Sequence, residues 1–114
     1  MHELGIVESW LQTARDAAAG RPVTAVRARV GTLSGADPDA LRFAYAAAAP
    51  AFLGTPPPPL HIELSPPVLR CRQCNKTFRF DQDGASCPQC ASPDAEWLSG
   101  LELDLLSIKV NDHV

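Results

Sequence analysis

The sequence lacks long apolar runs, since none approaches the roughly 20 residues that a membrane-spanning helix needs. Its first residues lack the basic segment that precedes the apolar part of a signal peptide. It also lacks an excess of positive charge. The formal net charge is -3, so no overall field attracts nucleic acid or an anionic membrane. These absences predict a cytoplasmic chain that binds neither membranes nor nucleic acid.

Aromatic residues are scarce as well, at 6% of the 114 residues, although 46% of the chain is apolar. That apolar share supports the core of one domain, or of one small domain with an appendage. We find no nucleophile–base pair and no phosphate-binding loop, which argues against an enzyme. Cysteine is limited to four residues. In a reducing compartment four cysteines are more typical of metal ligands than of disulfides.

Two segments have the apolar periodicity of amphipathic helices. Residues 4–19 form the first, and Gly20 is a suitable residue to follow its end. The second begins within GADPDALRFAYAAAAP, where Asp37 can cap the helix and Pro38 fits its first position. Gly54 and a stiff run of four prolines end it. The predicted buried stripes are Leu4, Val7, Leu11, Ala14 and Ala18 in the first helix, and Leu41, Ala44, Tyr45, Ala48 and Phe52 in the second.

Three segments have the pattern of β-strands. Residues 23–33 and 60–65 alternate between apolar and polar side chains. In the third segment, LELDLLSIKV, the apolar positions change parity halfway along. A one-residue bulge near Leu105 and Leu106 would keep both sets on one face, whereas the alternative is a central strand that is buried on both faces.

The order of these elements predicts an α+β fold with a small three-stranded sheet, two helices and an inserted lobe that contains the cysteines. A lone last strand needs a sheet to join, which is why we interpret the cysteine segment as an insertion. The predicted first domain is residues 1–69, completed by the C-terminal strand in residues 100–114. Residues 70–99 form the inserted domain. Trp97 is expected to pack where the two lobes meet rather than to serve as a binding residue.

The inserted segment CRQCNKTFRFDQDGASCPQC contains two CxxC pairs that are separated by twelve residues. Each pair can form a tight knuckle, so the spacing predicts a closed tetrahedral site of the zinc-ribbon type. Zinc is the default ion, in a structural role, because four sulfur ligands leave no position for water or substrate. A rubredoxin-like iron centre is the alternative, although the glycine that usually follows each pair is absent. The predicted ligands are Cys71, Cys74, Cys87 and Cys90.

Residues 77–84, between the two pairs, suggest a small hairpin that brings the pairs together. The segment also carries several basic residues, and many zinc ribbons bind nucleic acid. Two aspartates and the negative charge of a zinc–tetrathiolate cluster nevertheless bring the segment close to neutrality. We therefore expect the arginines to offset the thiolates rather than to contact phosphates.

The chain begins MHELGIVESW, with His2 directly behind Met1. A solvated terminus is the simplest explanation of such a histidine. The terminal amine, the His2 amide nitrogen and the His2 imidazole can, however, close adjacent chelate rings on one metal ion, a coordination that suits Ni(II) or Cu(II). Glu3 adds a second amide and a carboxylate. We expect His61, at a polar strand position, and His113, near the end of the chain, to be surface residues.

The start MHELGIVESW, the segment VRARVGTLSGADPDALRFAY, the two CxxC pairs and the closing LELDLLSIKV together resemble the HypA/HybF nickel chaperones of hydrogenase maturation. The resemblance covers nearly the whole chain, in the same order. A Met-His-Glu start combined with two CxxC pairs is more specific than either feature alone.

The resemblance implies that His2 is the essential nickel ligand, assisted by the terminal amine of Met1, by neighbouring amides and by Glu3. It also implies that the four cysteines hold zinc. An acidic residue after the first strand has been suggested as an auxiliary nickel ligand in this family. Asp37 is the closest match, although helix capping explains that residue equally well.

The function implied by the resemblance is that of a nickel metallochaperone, which is not an enzyme. It would carry Ni(II) as cargo, hold Zn(II) as a structural ion, and deliver nickel to the large-subunit precursor of a [NiFe]-hydrogenase. The expected helper is the nickel-handling GTPase of the same pathway, and a weak homodimer is compatible with the sequence. The alternatives are a zinc-ribbon module that binds nucleic acid or protein, and an iron–thiolate electron carrier.

Overall fold

The computed structural model describes residues 3–111, and within this range the chain forms three helices and six strands. The strands make two three-stranded sheets, ordered β2-β1-β6 and β4-β3-β5. The predicted α+β class is therefore confirmed. None of these helices is both long and apolar enough to cross a bilayer. The elements are α1 (Glu3–Ala18), β1 (Val23–Gly31), α2 (Pro38–Leu53), β2 (Leu60–Ser65), β3 (Val68–Cys71), β4 (Thr77–Arg79), α3 (Phe80–Asp83), β5 (Ala95–Ser99) and β6 (Leu103–Val110).

Helix α1 packs against α2 and the first sheet through most of the predicted stripe. Its prediction was wrong at Leu4, which is exposed, and it missed Trp10, which is buried. Side chains of a helix lean toward its N-terminus, so a residue of the first turn projects past the core. Trp10 lies three residues after Val7 and four before Ala14, so it belongs to the same stripe. The buried residues of α1 are Val7, Trp10, Leu11, Ala14 and Ala18.

Helix α2 begins and ends where the sequence predicts. The Asp37 carboxylate accepts a hydrogen bond of 3.0 Å from the backbone N–H of Asp39, and Pro38 is the first helical residue. The N–H of Gly54 donates to the Pro50 carbonyl after the last turn. The described core includes Leu41, Ala44, Tyr45 and Ala49, with Ala48 and Phe52 half-buried against it.

The polyproline connector is attached to α2 by a buried hydrogen bond. The Tyr45 hydroxyl donates to the Pro58 carbonyl at 2.7 Å. Burial raises the pKa of Tyr45 to about 12, so the phenol keeps its proton and remains a donor at neutral pH. This bond holds the start of β2 beside the helix.

The first sheet is built around β1, which pairs in parallel with β2 and antiparallel with β6. Arg27 lies opposite Ser107 and Ala28 opposite Leu105, so Leu106 is the extra residue of a bulge. The predicted bulge is confirmed, and the alternative of a central strand is wrong because β6 lies at the sheet edge. The strands are shorter than predicted, since β1 ends at Gly31 and β6 begins at Leu103.

The second sheet contains the cysteine segment and differs from the expectation in two ways. The hairpin predicted within residues 77–84 was wrong. Strand β4 instead pairs with β3, and Phe80–Asp83 forms a helical turn. The first CxxC pair is thus itself the hairpin turn. Strand β5 was not predicted, because its sequence AEWLS has no clear alternation.

The two sheets meet where the chain leaves one and returns from the other. The hydroxyl of Ser99 donates to the Pro66 carbonyl at 2.7 Å, and the N–H of Leu33 donates to the Gly100 carbonyl at 2.8 Å. A Cβ atom on Gly31 would lie 2.2 Å from the carbonyl carbon and oxygen of Gly100. Close backbone contact therefore joins the two sheets. The division into domains at residues 69/70 and 99/100 stays a prediction.

We expect Gly31→Ala to lower the free energy of unfolding by about 3 kcal/mol, because the new methyl group would overlap backbone that no rotamer change can move. Gly5→Ala is the matched control. A Cβ on Gly5 meets nothing within 4 Å, and alanine in a helix should stabilise the protein by about 0.5–1 kcal/mol. Urea unfolding followed by circular dichroism measures both changes. Equal stability of the two variants would contradict the close contact.

Candidate metal centre

The four cysteines lie together although they come from two separate stretches of chain. Their Sγ atoms are all within 4.8 Å of one another, and the Sγ–Sγ distances of Cys71–Cys90 and Cys74–Cys87 are both 3.6 Å. A disulfide needs about 2.05 Å, and all four residues are free cysteines. Four sulfurs at about 2.3 Å from a central zinc ion would be about 3.8 Å apart. The cluster therefore has the dimensions of a tetrahedral four-thiolate site.

The two CxxC pairs have the same backbone geometry. The N–H of Asn75 donates to the Cys71 carbonyl at 2.9 Å, and the N–H of Ala91 donates to the Cys87 carbonyl at 2.8 Å. Asn75 and Ala91, each following the second cysteine of a pair, have positive φ angles of 65° and 63°. The predicted knuckles are present. The two positions where glycine is missing therefore adopt a left-handed backbone, a requirement that the CxxC spacing alone does not reveal.

Burial differs within each pair. The first cysteines, Cys71 and Cys87, are buried, whereas Cys90 is exposed. The buried cluster of the second sheet consists of these two cysteines with Leu69 and Phe78. So small an apolar core supplies little stability, and metal binding by such a site is worth on the order of 10 kcal/mol. The fold of the second sheet and the occupancy of its metal site are therefore coupled.

The thiols influence one another's ionisation. Burial raises the pKa of Cys87, but the backbone N–H groups of Cys90 and Gln89 outweigh it and lower the pKa to about 7. A backbone hydrogen bond from Ser92 lowers the pKa of Cys90, but the neighbouring thiols, Cys71 foremost, together with partial desolvation raise it to about 12. A cation among four sulfurs favours all the thiolates. Metal binding must therefore release protons and weaken as pH falls.

The arginines around the cluster have carboxylate partners. Arg72 lies 2.8 Å from Asp94, and Arg79 lies 2.7 Å from Asp81. Arg70 forms an ion pair with Glu96 across β3 and β5. The direct partners of these arginines are therefore carboxylates, and the offset of the thiolate charge stays a prediction.

The residues predicted to bind nickel lie in a different part of the chain. Met1 and His2 are outside the described residues, as is His113. Glu3 is half-buried and begins α1. Asp37 is exposed and caps α2, which accounts for this residue without a metal ion. His61 is exposed on β2, as expected. The nickel ligand set stays a prediction.

Fold and site together define a class: small α+β proteins whose second sheet carries a closed four-cysteine metal site. Solved structures share the fold. The solution structure of the Ni metallochaperone HypA from Helicobacter pylori has a TM-score of 0.70 at 24% identity, covering 96% of this chain and 97% of that one. Another solution structure of HypA protein has a TM-score of 0.73 at 23% identity, covering 97% of each chain.

A family model described as "Hydrogenase/urease nickel incorporation, metallochaperone, hypA" matches residues 1–110. The hydrogenase maturation factor HypA of Chloroflexus aurantiacus is 38% identical over 115 residues, with 96% of this chain and 98% of the relative covered. The HypA of Geotalea uraniireducens is 34% identical over 110 residues, with 96% of this chain and 99% of the relative covered. The chain belongs to the HypA family of nickel metallochaperones, which act in hydrogenase maturation and are not enzymes.

We expect Cys71→Ser or Cys90→Ala to unfold the second sheet while the first sheet stays folded, because the first sheet has its own apolar core. Bound zinc should fall from about one ion per chain to nearly none. Elemental analysis and two-dimensional NMR measure the two effects. Ser86→Ala, an exposed change beside Cys87, is the control. Native zinc content in either cysteine variant would refute the four-thiolate site.

Ala91→Gly should stabilise the metal-loaded protein by about 0.5–1 kcal/mol, because it removes a side chain that disfavours positive φ. Asn75→Gly should gain less, since asparagine tolerates this conformation. Thermal unfolding of the zinc-loaded proteins compares them. A loss of stability in Ala91→Gly would show that the left-handed conformation is not a cost at this knuckle.

Proposed function

We propose that the chain binds Ni(II) at its first residues and delivers it to the large-subunit precursor of a [NiFe]-hydrogenase, while the four cysteines hold structural Zn(II). The observation that carries the proposal is the family match, because it spans residues 1–110 and so includes both the Met-His-Glu start and the cysteine site.

The proposed nickel ligands are the His2 imidazole, the His2 amide and the terminal amine of Met1. Glu3 can contribute its amide or its carboxylate. The start of α1 at Glu3 supports this assignment, because the first N–H groups of a helix have no acceptor within it. A nitrogen-rich set suits Ni(II) better than oxygen ligands do. Asp37 is proposed only as an auxiliary nickel ligand. Its carboxylate already caps α2.

Zinc is proposed for the cysteines because a closed tetrahedral thiolate site suits this ion. The two metals then have different fates. An ion enclosed by four sulfurs supports the fold and stays, whereas an ion held by residues at the start of a chain can be handed on. A protein that carries one metal ion and is stabilised by another needs this difference in enclosure between its two sites.

The proposed partners are the large-subunit precursor, which receives nickel, and the nickel-handling GTPase of the maturation pathway. The GTPase would supply the nucleotide chemistry for which this sequence has no phosphate-binding motif. The proposal places these events in the cytoplasm, where four thiols stay reduced.

We expect His2→Ala to abolish high-affinity Ni(II) binding, because the imidazole anchors the chelate, and a tag fused ahead of Met1 to do the same by blocking the amine. Affinity should fall below a pH of about 6.5, where protons compete for the imidazole and the amine. Calorimetry on zinc-loaded protein measures both effects. His61→Ala and His113→Ala are the matched controls.

The delivery step is tested with the same nickel-loaded proteins. After mixing with purified large-subunit precursor and separation, nickel should be found on the precursor when the parent is used and be absent with His2→Ala. If His2→Ala binds and transfers nickel as the parent does, the proposed site at the first residues is wrong.

A further inference from the structure

An apolar surface lies on the second sheet, at the free edge of β5. Strand β5 has one neighbour in its sheet, β3. Three large apolar side chains at and just after this strand are 44%, 47% and 52% exposed: Trp97, Leu98 and Leu101. We call these residues, together with Glu102, the β5 surface. The unpaired backbone N–H and C=O groups of an edge strand are a template for pairing with another chain, and exposed apolar side chains beside them offer further contacts.

A bulge explains why two consecutive residues of β5 share this surface. Leu69 lies opposite Trp97 and Val68 opposite Ser99, which leaves Leu98 as an extra residue. A bulge redirects side chains that would otherwise alternate between faces. As a result Trp97 and Leu98 line the same cavity, whose volume is about 250 Å³.

The cavity is suited to side chains of a peptide segment. Its volume is below the roughly 300–1,000 Å³ that is usual for small-molecule and cofactor sites. One wall is held in place, because the Trp97 ring contacts the Phe80 ring with centroids 5.4 Å apart. An aromatic wall beside an open strand edge fits an extended segment that pairs with β5 and places an apolar side chain in the cavity.

Glu102 adds a charge to the rim. Its carboxylate accepts hydrogen bonds from the Ser65 hydroxyl at 2.8 Å and from the Gly100 N–H at 2.5 Å. Burial raises the pKa of Glu102, but these donors and the neighbouring backbone N–H groups outweigh it and hold the pKa below its usual value. Within residues 3–111 the ion pairs involve other carboxylates. A half-buried negative charge thus lines the cavity without a cation.

This charge decides what kind of partner fits. A second copy of the chain would present the same surface in a two-fold interface, and so would bring another carboxylate rather than a cation. A lysine or arginine on a different protein would complement Glu102. Both the apolar cavity and the charge therefore favour an extended basic and apolar segment.

We propose that the β5 surface binds an extended segment of a partner protein, which pairs with the free edge of β5, fills the cavity with an apolar side chain and places a lysine or arginine against Glu102. This binding site goes beyond nickel delivery and does not depend on it.

The test uses the full-length, zinc-loaded chain with Trp10→Phe, so that Trp97 is its remaining tryptophan. A displayed library of random nine-residue peptides is selected on this protein, and the enriched peptides are synthesised and titrated. The expected peptides combine apolar residues with a lysine or arginine. Their binding should shift Trp97 fluorescence to shorter wavelength, because the exposed indole becomes covered.

Three variants assign the contact. Glu102→Gln keeps an acceptor for the Gly100 N–H but removes the charge, and should weaken binding about tenfold, the loss of one charge-assisted contact. Leu101→Ala, at an exposed position outside the strands, should weaken binding and leave the fold intact. Phe43→Ala is the matched control, because Phe43 is 79% exposed on α2, and it should not change the affinity.

Several results would overturn the proposal. These are enriched peptides without a basic residue, or affinities that Glu102→Gln and Leu101→Ala leave unchanged. Selection of no peptide at all would also do so. Sedimentation that shows self-association of the parent, lost in Leu101→Ala, would assign this surface to a second copy of the chain instead.

Discussion

The pairing of β6 with β1 is the contact on which the rest of the structure depends. Strand β6 returns to β1 after the chain has passed through the whole second sheet. The two connections between the sheets are therefore forced to lie side by side, next to Gly31. Closing so long a loop costs conformational entropy, and the apolar face of β6 offsets that cost by packing on the core beneath α1 and α2.

The second sheet solves a different problem, because it has too few apolar residues to fold by burial alone. Its knuckles, its strands and its short hydrogen-bonded turns converge on four sulfur atoms. One ion can replace the missing core, since metal binding and folding share the same free energy. Strand β5 has an open edge in this sheet, and that edge is left available for other contacts.

A carrier that keeps one metal and releases another needs two sites of different enclosure. Membership of the HypA family supplies the nickel function, and the four-cysteine cluster supplies a place for a permanent ion. In the proposed function the two sites are separated along the chain, so exchange of the ion at one site need not disturb the ligands of the other. Partner recognition can then use surfaces that belong to neither site.

Local chemistry was sufficient to predict much of this protein. The CxxC spacing, the Asp37-Pro38 helix start and the parity change at Leu105 and Leu106 each depend on residues close in sequence, so they could be recognised from the sequence and were confirmed by the structure. The resemblance to the nickel chaperones added the family and the candidate nickel ligands, which spacing alone could not assign.

Tertiary packing decided the rest. Leu4 and Leu64 have the correct periodicity for burial yet are exposed, because periodicity defines a face and not how far the neighbouring elements extend over it. Strand β5 carries little pattern of its own and is defined by hydrogen bonding to β3. The contact of Gly31 with Gly100 joins positions far apart in sequence. Such features depend on which segments meet in space, and that depends on the free energy of the whole fold rather than on any one segment.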